Sequence, residues 1–338
     1  MKPGSVCVTL VTYNSRRYIR RCLESVIDQT GVPLEVVVVD NASEDGTREV
    51  LAGFEDVVNV VYNDSNTGFA AAQNQAIARS SSEWVLALNP DTLLQAGFIR
   101  RLVQAGGIDR TVGSVCGKLL SIAPDFQAPA KPRIDSAGIY FTRSMRHFDR
   151  GWNQPDDGRF DVMEYVFGAS AAAALYRREM IQDISLEDGF FDPDFFAYRE
   201  DADVAWRAQL LGWRCIYAPD AVAYHVRRVV PGVRATLPGN LNMHSVKNRF
   251  LLRMKNATPS LCWSCWLPAA ARDALVIGGC LLWEQSSLPA FLALARCLPR
   301  TIRKRRQIMQ RKKLSDEELA RWFQTEPAAE PVPRLVYS

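Results

Sequence analysis

Histidine is scarce in this chain, with three residues among 338, and the eight cysteines are scattered. Cys262 and Cys265 form one CxxC motif, but no second pair follows, and a structural zinc site needs four ligands. A disulfide framework is equally unexpected in a chain of this length and regularity. We therefore interpret the cysteines as packing or membrane-facing thiols.

The N-terminal residues do not have the pattern of a secretory signal peptide. Residues 6–11 already have the composition of a strand, and no small-residue cleavage site follows. The cytosol is the expected compartment. The chain is 48% hydrophobic and 23% charged, which predicts an ordinary globular core. Its length suits one large α/β domain or one domain with an appendage. We expect no nucleic-acid partner.

Short apolar runs alternate with helical patterns in the first part of the chain. The predicted strands are residues 6–11, 35–39, 57–62 and 84–88. Strands that alternate with helices imply crossover connections and a largely parallel sheet. The predicted fold class is therefore α/β, with a mostly parallel sheet flanked by helices.

Polar residues follow the strand at 84–88. Asn89, Pro90 and Asp91 lie just beyond its carboxyl end, where open α/β sheets bind ligands. A carboxylate at this place can hold a divalent cation, and the cation can hold a diphosphate. A proline turn with local caps would use the same three residues. The rest of the chain favours the ligand site.

The first two loops also carry candidate ligands. Thr12, Tyr13 and Asn14 follow the first strand, and Asp40 follows the second. No GxGxxG loop is present, so a dinucleotide oxidoreductase is disfavoured. Asp40 can accept a hydrogen bond from a pyrimidine N–H, and Tyr13 can pack against a base or ribose. The alternative for Asp40 is an N-cap or turn aspartate.

The third loop is more specific, with Asn66 and Gly68 before the Ala-rich helical pattern Phe69–Ala78. Gly68 permits a tight loop and close backbone approach. The small residues allow the helix N-terminus to lie near an anion, and Asn74 can donate to a nucleotide. The alternative is a plain core helix after a glycine turn.

Two further candidates lie downstream. Glu200, Asp201 and Asp203 begin a helical pattern, where acidic residues are also favoured by the helix dipole alone. His225 follows an apolar strand-like run, and a lone histidine of this kind is often a satisfied core residue.

These motifs, in this order, resemble the family 2 glycosyltransferases, and among them the bacterial rhamnosyltransferase-type branch. The resemblance fades after about Asn256. The motifs that carry it are Thr12-Tyr13-Asn14, residues 39–43 with Asp45-Gly46-Thr47, Asn66-x-Gly68-Phe69 with Asn74, Asn89-Pro90-Asp91, residues 168–170, residues 195–201, Asp203, Trp206-Arg207, Gly212-Trp213, Pro219, Ala221 and His225.

The resemblance implies a GT-A fold, a nucleotide-diphosphate sugar donor, a divalent metal and inversion at the anomeric carbon. It gives Asp201 the role of general base, with Glu200 supporting the acceptor or the loop. It also makes His225 a metal ligand beside Asp91, which suits Mn²⁺ better than Mg²⁺. Where the broader family often has Asp-x-Asp, this chain has Asn89 first, which leaves one carboxylate fewer.

The expected donor is dTDP-rhamnose, and the expected acceptor is a glycan or lipid-linked glycan. A nucleotide-sugar- or glycan-binding protein without transferase activity is the alternative. The presence of Asp91, Asp201 and His225 together argues against it.

The chain divides, on this interpretation, into a catalytic domain and a C-terminal appendage. Residues 1–257 form the GT-A domain, with a nucleotide-binding half at about 1–105 and an acceptor-binding half at about 106–257. Residues 258–325 form a helical, membrane-facing appendage. Residues 326–338 form a proline-containing tail that we expect to be disordered. A basic segment at 244–256 either meets phosphate groups or is a solvated helix face.

The appendage has features of an interfacial segment. Eight basic and no acidic residues lie between Arg300 and Lys313, and Trp263, Trp266 and Trp283 suit an interface. The uncharged run 274–283 has ten residues, too short to span a bilayer. We expect peripheral contact with an anionic membrane surface, on the inner face of the cell membrane. The alternative is a helical subdomain packed on the catalytic core, with its basic face in water or on a partner.

Overall fold

A computed structural model describes residues 2–127, 129–227, 239–324 and 328–332. The first part of the chain alternates strands and helices, as predicted. Its elements are β1 (Lys2–Thr12), α1 (Arg16–Ile27), β2 (Leu34–Asp40), α2 (Thr47–Ala52), β3 (Asn59–Tyr62), α3 (Phe69–Ala78), β4 (Ser82–Leu88), β5 (Thr92–Leu94) and α4 (Phe98–Gly106).

The second part adds short strands and then a run of helices. Its elements are β6 (Val112–Ser121), β7 (Ile134–Ser136), β8 (Ile139–Phe141), β9 (His147–Asp149), β10 (Glu164–Val166), β11 (Ala173–Arg177), α5 (Arg178–Ile184), α6 (Glu200–Leu210), β12 (Arg214–His225), α7 (Gly239–Asn256), α8 (Pro259–Leu282), α9 (Pro289–Gln310), α10 (Asp316–Ala320) and β13 (Glu330–Pro331). Among the described residues, 3-10 turns at Pro193–Phe195 and Gln285–Ser287 lie between them.

The main sheet is mixed, which corrects the prediction of a mostly parallel one. Its strand order is β13-β10-β12-β6-β11-β4-β1-β2-β3, with β5 beside β12 and β7 beside β6. Strands β1, β2, β3 and β4 are parallel to one another. Strand β11 lies between β4 and β6 and is antiparallel to both. The error arises because β11 follows the small-residue segment 168–172, whose sequence does not indicate the direction in which the chain re-enters the sheet.

The core explains the N-terminal elements. The strands β2 and β4 are buried over most of their length, as expected for sheet strands covered on both faces. The apolar side of α1 repeats at helical spacing and packs on this sheet. Because parallel strands end at one edge, the loops after β1, β2 and β4 meet there.

The chain on either side of the predicted boundary at residue 257 packs together. Helix α7 packs against α9, and residues from α8, α9 and α10 share the main core with the catalytic half. Trp322 and Phe323 contact the rings of Phe141, Phe167 and Trp206.

The C-terminal tail is partly ordered, contrary to the prediction for 326–338. Residues Glu330 and Pro331 form β13 and pair with β10, and Arg214 forms an ion pair with Glu330. The remainder of the predicted tail, 326–327 and 333–338, lies outside the described residues.

Helix α8 presents an exposed apolar surface. Thr258 caps its start and Pro259 occupies the first turn, which suits a helix N-terminus. The helix has 24 residues and is the one described helix long and apolar enough to cross a membrane, although most of it is exposed in the structure. By length and composition α8 therefore reaches the size of a membrane span, although its uncharged run 274–283 is only ten residues.

The basic block of α9 and the residues after it is used mainly inside the protein. Six of its eight members form ion pairs with carboxylates of the same chain, and Lys304 is fully buried. This result favours the alternative of packing on the catalytic core over a wholly lipid-facing basic surface.

Candidate active site

Asp40 at the end of β2 organises the first two loops. Its carboxylate accepts hydrogen bonds from Thr12 Oγ1 (2.8 Å), from the backbone N–H and hydroxyl of Ser43 and from Arg48 Nε (2.8 Å). The residue is fully buried, so its acceptor capacity is used internally. Asp40 therefore shapes these loops, and its contact with a base stays a prediction. Arg48 was not among the residues predicted from the sequence.

The neighbouring Tyr13 and Asn14 differ in their availability. The Tyr13 ring is 49% exposed at the rim of the sheet edge, which leaves it open for stacking. Asn14 has a φ of +50° and accepts from the backbone N–H of Glu44 at 2.9 Å. Asn14 thus fixes the loop, and Tyr13 is the available contact surface.

Gly68 is required by a protein contact. Asn66 Oδ1 accepts from the Gly68 N–H at 2.9 Å, and Gly68 has a φ of +84°. A Cβ built there would lie 2.6 Å from Phe196 Cδ2, so a larger residue would displace the loop before α6. The nucleotide-side loop and the catalytic loop are therefore in direct contact.

The side chain of Asn74 binds backbone groups of the protein itself. Its amide donates to the Asp188 and Phe191 carbonyls and accepts from the Phe191 N–H at 2.9 Å. All of these partners are backbone groups of the segment before the catalytic loop. Asn74 therefore anchors this segment, and its contact with the donor stays a prediction.

Asp91 and His225 come together across the pairing of β5 with β12. The register places His225 opposite Thr92, and His225 Nε2 lies 3.4 Å from Asp91 Oδ1. This Asp91 oxygen is buried and has no hydrogen-bond partner among the described residues. Two ligands on adjacent octahedral positions at about 2.1 Å from a cation would be roughly 3 Å apart. The pair therefore fits the predicted metal site.

Asp135, on β7, was missed by sequence reasoning. It is fully buried and contacts His225 Nδ1 at 2.8 Å, while Arg227 Nε donates to it at 2.6 Å. A carboxylate on the far nitrogen is the usual device that orients a histidine ligand. No local motif marks it, because the contact spans ninety residues.

The electrostatics of this site favour a cation. Burial alone would lower the pKa of His225, but Asp135 and Asp91 raise it to about 10. The pKa of Asp135 is lowered to about 2 against the effect of burial, because His225 and Arg227 favour its charged form. The carboxylates that stabilise an imidazolium here would also stabilise a metal ion.

Asp201 lies beside the loop that carries Asn89. Its Oδ2 accepts from the Ala171 N–H at 3.3 Å, and the next carbonyl, Ala172 O, accepts from the Asn89 N–H at 3.0 Å. The predicted base and the predicted metal loop therefore meet at the small-residue segment 169–172. Thr92 Oγ1 donates to the same carbonyl at 3.2 Å.

The two carboxyls at the start of α6 have different environments. Burial, followed by the negative charge of Asp149, raises the pKa of Asp201 to about 6. Burial, followed by the charge of Asp201, raises the pKa of Glu200 well above its usual range. With a pKa of about 6, Asp201 is ionised at neutral pH, which suits a base, while the pKa of Glu200 is shifted toward the neutral form.

A second acidic cluster consists of Asp188, Asp192 and Asp194. Their oxygens lie close enough to hold a cation, but Lys304 Nζ is 2.7, 2.7 and 3.0 Å from them respectively. Lys304 of α9 therefore supplies the positive charge that balances these carboxylates.

The sheet and its strand-end loops have the architecture of a GT-A glycosyltransferase. The chain belongs to glycosyl transferase family 2, whose family model, "Glycosyl transferase family 2", matches residues 7–185, rather more than half of the sequence.

Known relatives give further context. The chain is 27% identical over 236 residues to an N-acetylglucosaminyl-diphospho-decaprenol L-rhamnosyltransferase of Mycobacterium tuberculosis, with 64% of this chain and 75% of the relative covered. The fold matches a mannosyltransferase of Pyrobaculum calidifontis in complex with GDP-Man and Mn²⁺, at a TM-score of 0.50 and 21% identity, covering 90% of this chain and 83% of that one. It also matches TarS 1-349 of S. aureus, at a TM-score of 0.52 and 16% identity, covering 90% of each chain. The predicted GT-A fold is thus confirmed.

Proposed function

We propose that this glycosyltransferase moves rhamnose from dTDP-rhamnose onto a glycan or lipid-linked glycan acceptor during cell-surface polysaccharide synthesis, with inversion at the anomeric carbon. The observation that carries the proposal is the buried pair of Asp91 and His225, whose Oδ1 and Nε2 atoms lie 3.4 Å apart, close to the segment 169–172 that Asp201 contacts. The rhamnosyltransferase of Mycobacterium tuberculosis supports the choice of donor.

Asp201 acts as the general base in this proposal. Its carboxylate takes the proton of the acceptor hydroxyl while that oxygen attacks the anomeric carbon. The bond from this carbon to the diphosphate breaks, and dTDP leaves. Glu200, beside it, supports the acceptor or the loop, and the raised pKa of its carboxyl favours its neutral form.

The donor would lie along the ends of β1, β2 and β4. Tyr13 offers the stacking surface, Asn89 and Asp91 face the diphosphate, and Asp40, Asn14 and Asn66 hold the loops in shape. A Mg²⁺ or Mn²⁺ ion bound by Asp91 and His225 would neutralise charge on the leaving diphosphate. Asp135 keeps the His225 ring in position for this contact.

We also propose that the protein contacts the inner face of the cell membrane. The surface of α8 carries Trp263 at 81% exposure, with Trp266 and Leu267 beside it, and Trp283 at 80% follows the helix. Tryptophan and leucine on an exposed helix suit the headgroup and acyl boundary of a bilayer. Because most of the basic block pairs within the chain, apolar contact contributes more than charge. A lipid-linked acceptor would be reached from this position.

The test is release of dTDP from dTDP-rhamnose by the purified chain with Mn²⁺, compared with release from a panel of other nucleotide sugars. A transferase leaks sugar to water, whereas a binding protein without activity does not. We expect release that depends on the metal and is lost in Asp91→Asn. The exposed Asp220→Asn is the matched control and should behave as wild type. Donor binding without release from any nucleotide sugar would favour the binding-protein alternative.

A further inference from the structure

The loop before the catalytic helix has unusual backbone geometry. Three non-glycine residues within four positions have positive φ, namely Phe196 (+64°), Tyr198 (+69°) and Arg199 (+73°). Phe196, with ψ of −67°, is the centre of a γ-turn of the rare, strained type, closed by the Ala197 N–H on the Phe195 carbonyl at 2.8 Å. Such backbone persists only where its surroundings hold it.

Asn248 of α7 holds this backbone in place. Its Nδ2 lies 2.8 Å from the carbonyls of Phe195, Ala197 and Tyr198, so one side chain binds three of the four residues around the turn. Asn248 is fully buried. Because all three partners are acceptors, the amide must present its NH₂ group to them.

The same helix contacts the loop at two further places. The His244 ring stacks on Phe196, with centroids 4.6 Å apart and planes 10° from parallel. On the other side of Phe196 lies Gly68, and the Phe196 carbonyl accepts from the Ala70 N–H at 3.2 Å. The strained turn is therefore clamped between α7 and the nucleotide-side loop.

The end of α7 holds the helix that follows the loop. Asp203 lies two residues beyond Asp201 on α6, and its Oδ1 is 2.8 Å from both Lys255 Nζ and Asn256 Nδ2. Lys255 also contacts Asp192 at 2.5 Å, and Lys304 of α9 contacts Asp192 at 2.7 Å. Both ends of the catalytic loop are thus fixed by residues after 240. The predicted phosphate-binding or solvated role of segment 244–256 is replaced by these internal contacts.

We propose that Asn248 is a positioning residue for the transfer reaction. It holds the γ-turn at Phe196 in the one geometry that directs the first turn of α6, and therefore Asp201, toward the reacting hydroxyl. Its role is to act through the loop, because its amide is engaged by the three backbone carbonyls. The inference rests on the proposed function for the role of Asp201, whereas the clamp itself is independent of it.

The experiment compares wild type, Asn248→Ala and Arg253→Gln in the full chain. Arg253 is the matched control, since it lies on the same helix but pairs with Asp273 of α8 at 2.6 Å. Three quantities are measured: kcat for dTDP release from dTDP-rhamnose with Mn²⁺, the Kd of dTDP with Mn²⁺, and hydrogen exchange of the peptide 195–201.

We expect Asn248→Ala to lower kcat about 10- to 100-fold, the usual effect of misplacing a catalytic group by about an ångström. The Kd of dTDP should stay within about twofold of wild type, because the base and diphosphate contacts lie on other elements. Exchange should accelerate at 195–201 and stay unchanged in β1 and β4. Arg253→Gln should show none of these changes.

Two results would overturn the inference. One is a kcat within about twofold of wild type together with unchanged exchange at 195–201. The other is a loss of dTDP binding as large as the loss of kcat, with faster exchange throughout the chain, since that describes a purely structural residue.

If Asn248→Ala does not fold, His244→Ala tests the clamp instead, because this substitution removes only the stacking contact on Phe196. Faster exchange at 195–201 with retained dTDP binding supports the clamp, and unchanged exchange overturns it. A wild-type protein that releases dTDP from no donor contradicts the proposed function instead, and the exchange measurement then tests the clamp alone.

Discussion

Replacing Asp201 by asparagine should raise stability while it removes activity. The folded protein raises the pKa of this carboxyl from 3.8 to about 6, chiefly by burial, which corresponds to roughly 3 kcal/mol of destabilisation of the charged form. Asparagine has no charge to bury. It loses one acceptor oxygen facing the N–H groups of Ala171 and Ala202, which costs about 1 kcal/mol. The variant should therefore be about 1–2 kcal/mol more stable than wild type at pH 8.

The pH dependence of this difference follows from the direction of the shift. Since the folded pKa is raised, wild type has the full stability of the neutral carboxyl below pH about 4 and loses it as the pH rises through about 6. The advantage of Asp201→Asn should thus disappear near pH 4 and be largest above pH 6. Urea unfolding of both proteins at pH 4, 6 and 8 measures it. Glu200→Gln should show the same direction, because the pKa of Glu200 is also raised in the folded protein and wild type therefore loses stability as the pH rises above the ordinary value of 4.5.

Activity should move in the opposite direction. We expect Asp201→Asn to release dTDP from dTDP-rhamnose about 10²- to 10⁴-fold more slowly, with binding of dTDP retained. Wild-type kcat/KM should fall below pH about 6 as Asp201 is protonated. A variant with the wild-type rate would show that Asp201 is only a helix cap. A variant less stable than wild type at pH 8 would refute the argument from burial of the charge.

Two other predictions concern the metal site and the membrane. Asp91→Ala should abolish metal-dependent turnover while the fold survives, and Asp135→Asn should weaken Mn²⁺ binding about 10- to 100-fold in a Mn²⁺ titration; full activity of chelator-treated wild type would contradict both. The full chain should sediment with anionic liposomes even at 0.5 M NaCl, a concentration at which charge attraction is screened within about 4 Å, and replacing Trp263, Trp266 and Trp283 by serine should weaken this binding. Binding that salt abolishes and the serine variants retain would exclude the apolar face as the contact.

The sequence predicted the elements whose signals are local. Strands β1, β2 and β4 and helix α3 were recognised because apolar runs, small residues and strand-end polar groups lie within a few positions of one another. The antiparallel direction of β11 was not predicted, because strand direction depends on how the chain returns to the sheet.

The site shows the same division. The pairing of Asp91 with His225 was suggested by resemblance, and the geometry fits it. Asp135 and Asn248 were missed, because their partners lie 90 and about 50 residues away and no local pattern marks such contacts. The loop contacts of Asp40 and Asn74 were not predicted, because a strand-end carboxylate or a helix amide has the same local sequence whether it binds a ligand or a neighbouring loop. The basic block of α9 was misjudged for a related reason, since composition does not reveal which acidic groups a lysine meets.

The position of Lys304 has a consequence for the order in which the protein is made. Its buried ammonium neutralises Asp192 from 112 residues further along the chain. A ribosome-bound chain that has emerged only as far as α6 therefore carries acidic side chains whose counter-charge does not yet exist, and burial of unpaired carboxylates is costly. The catalytic loop can settle only after α7 and α9 have been synthesised. The active centre is thus among the last parts of the molecule to mature, although most of its own residues are made early.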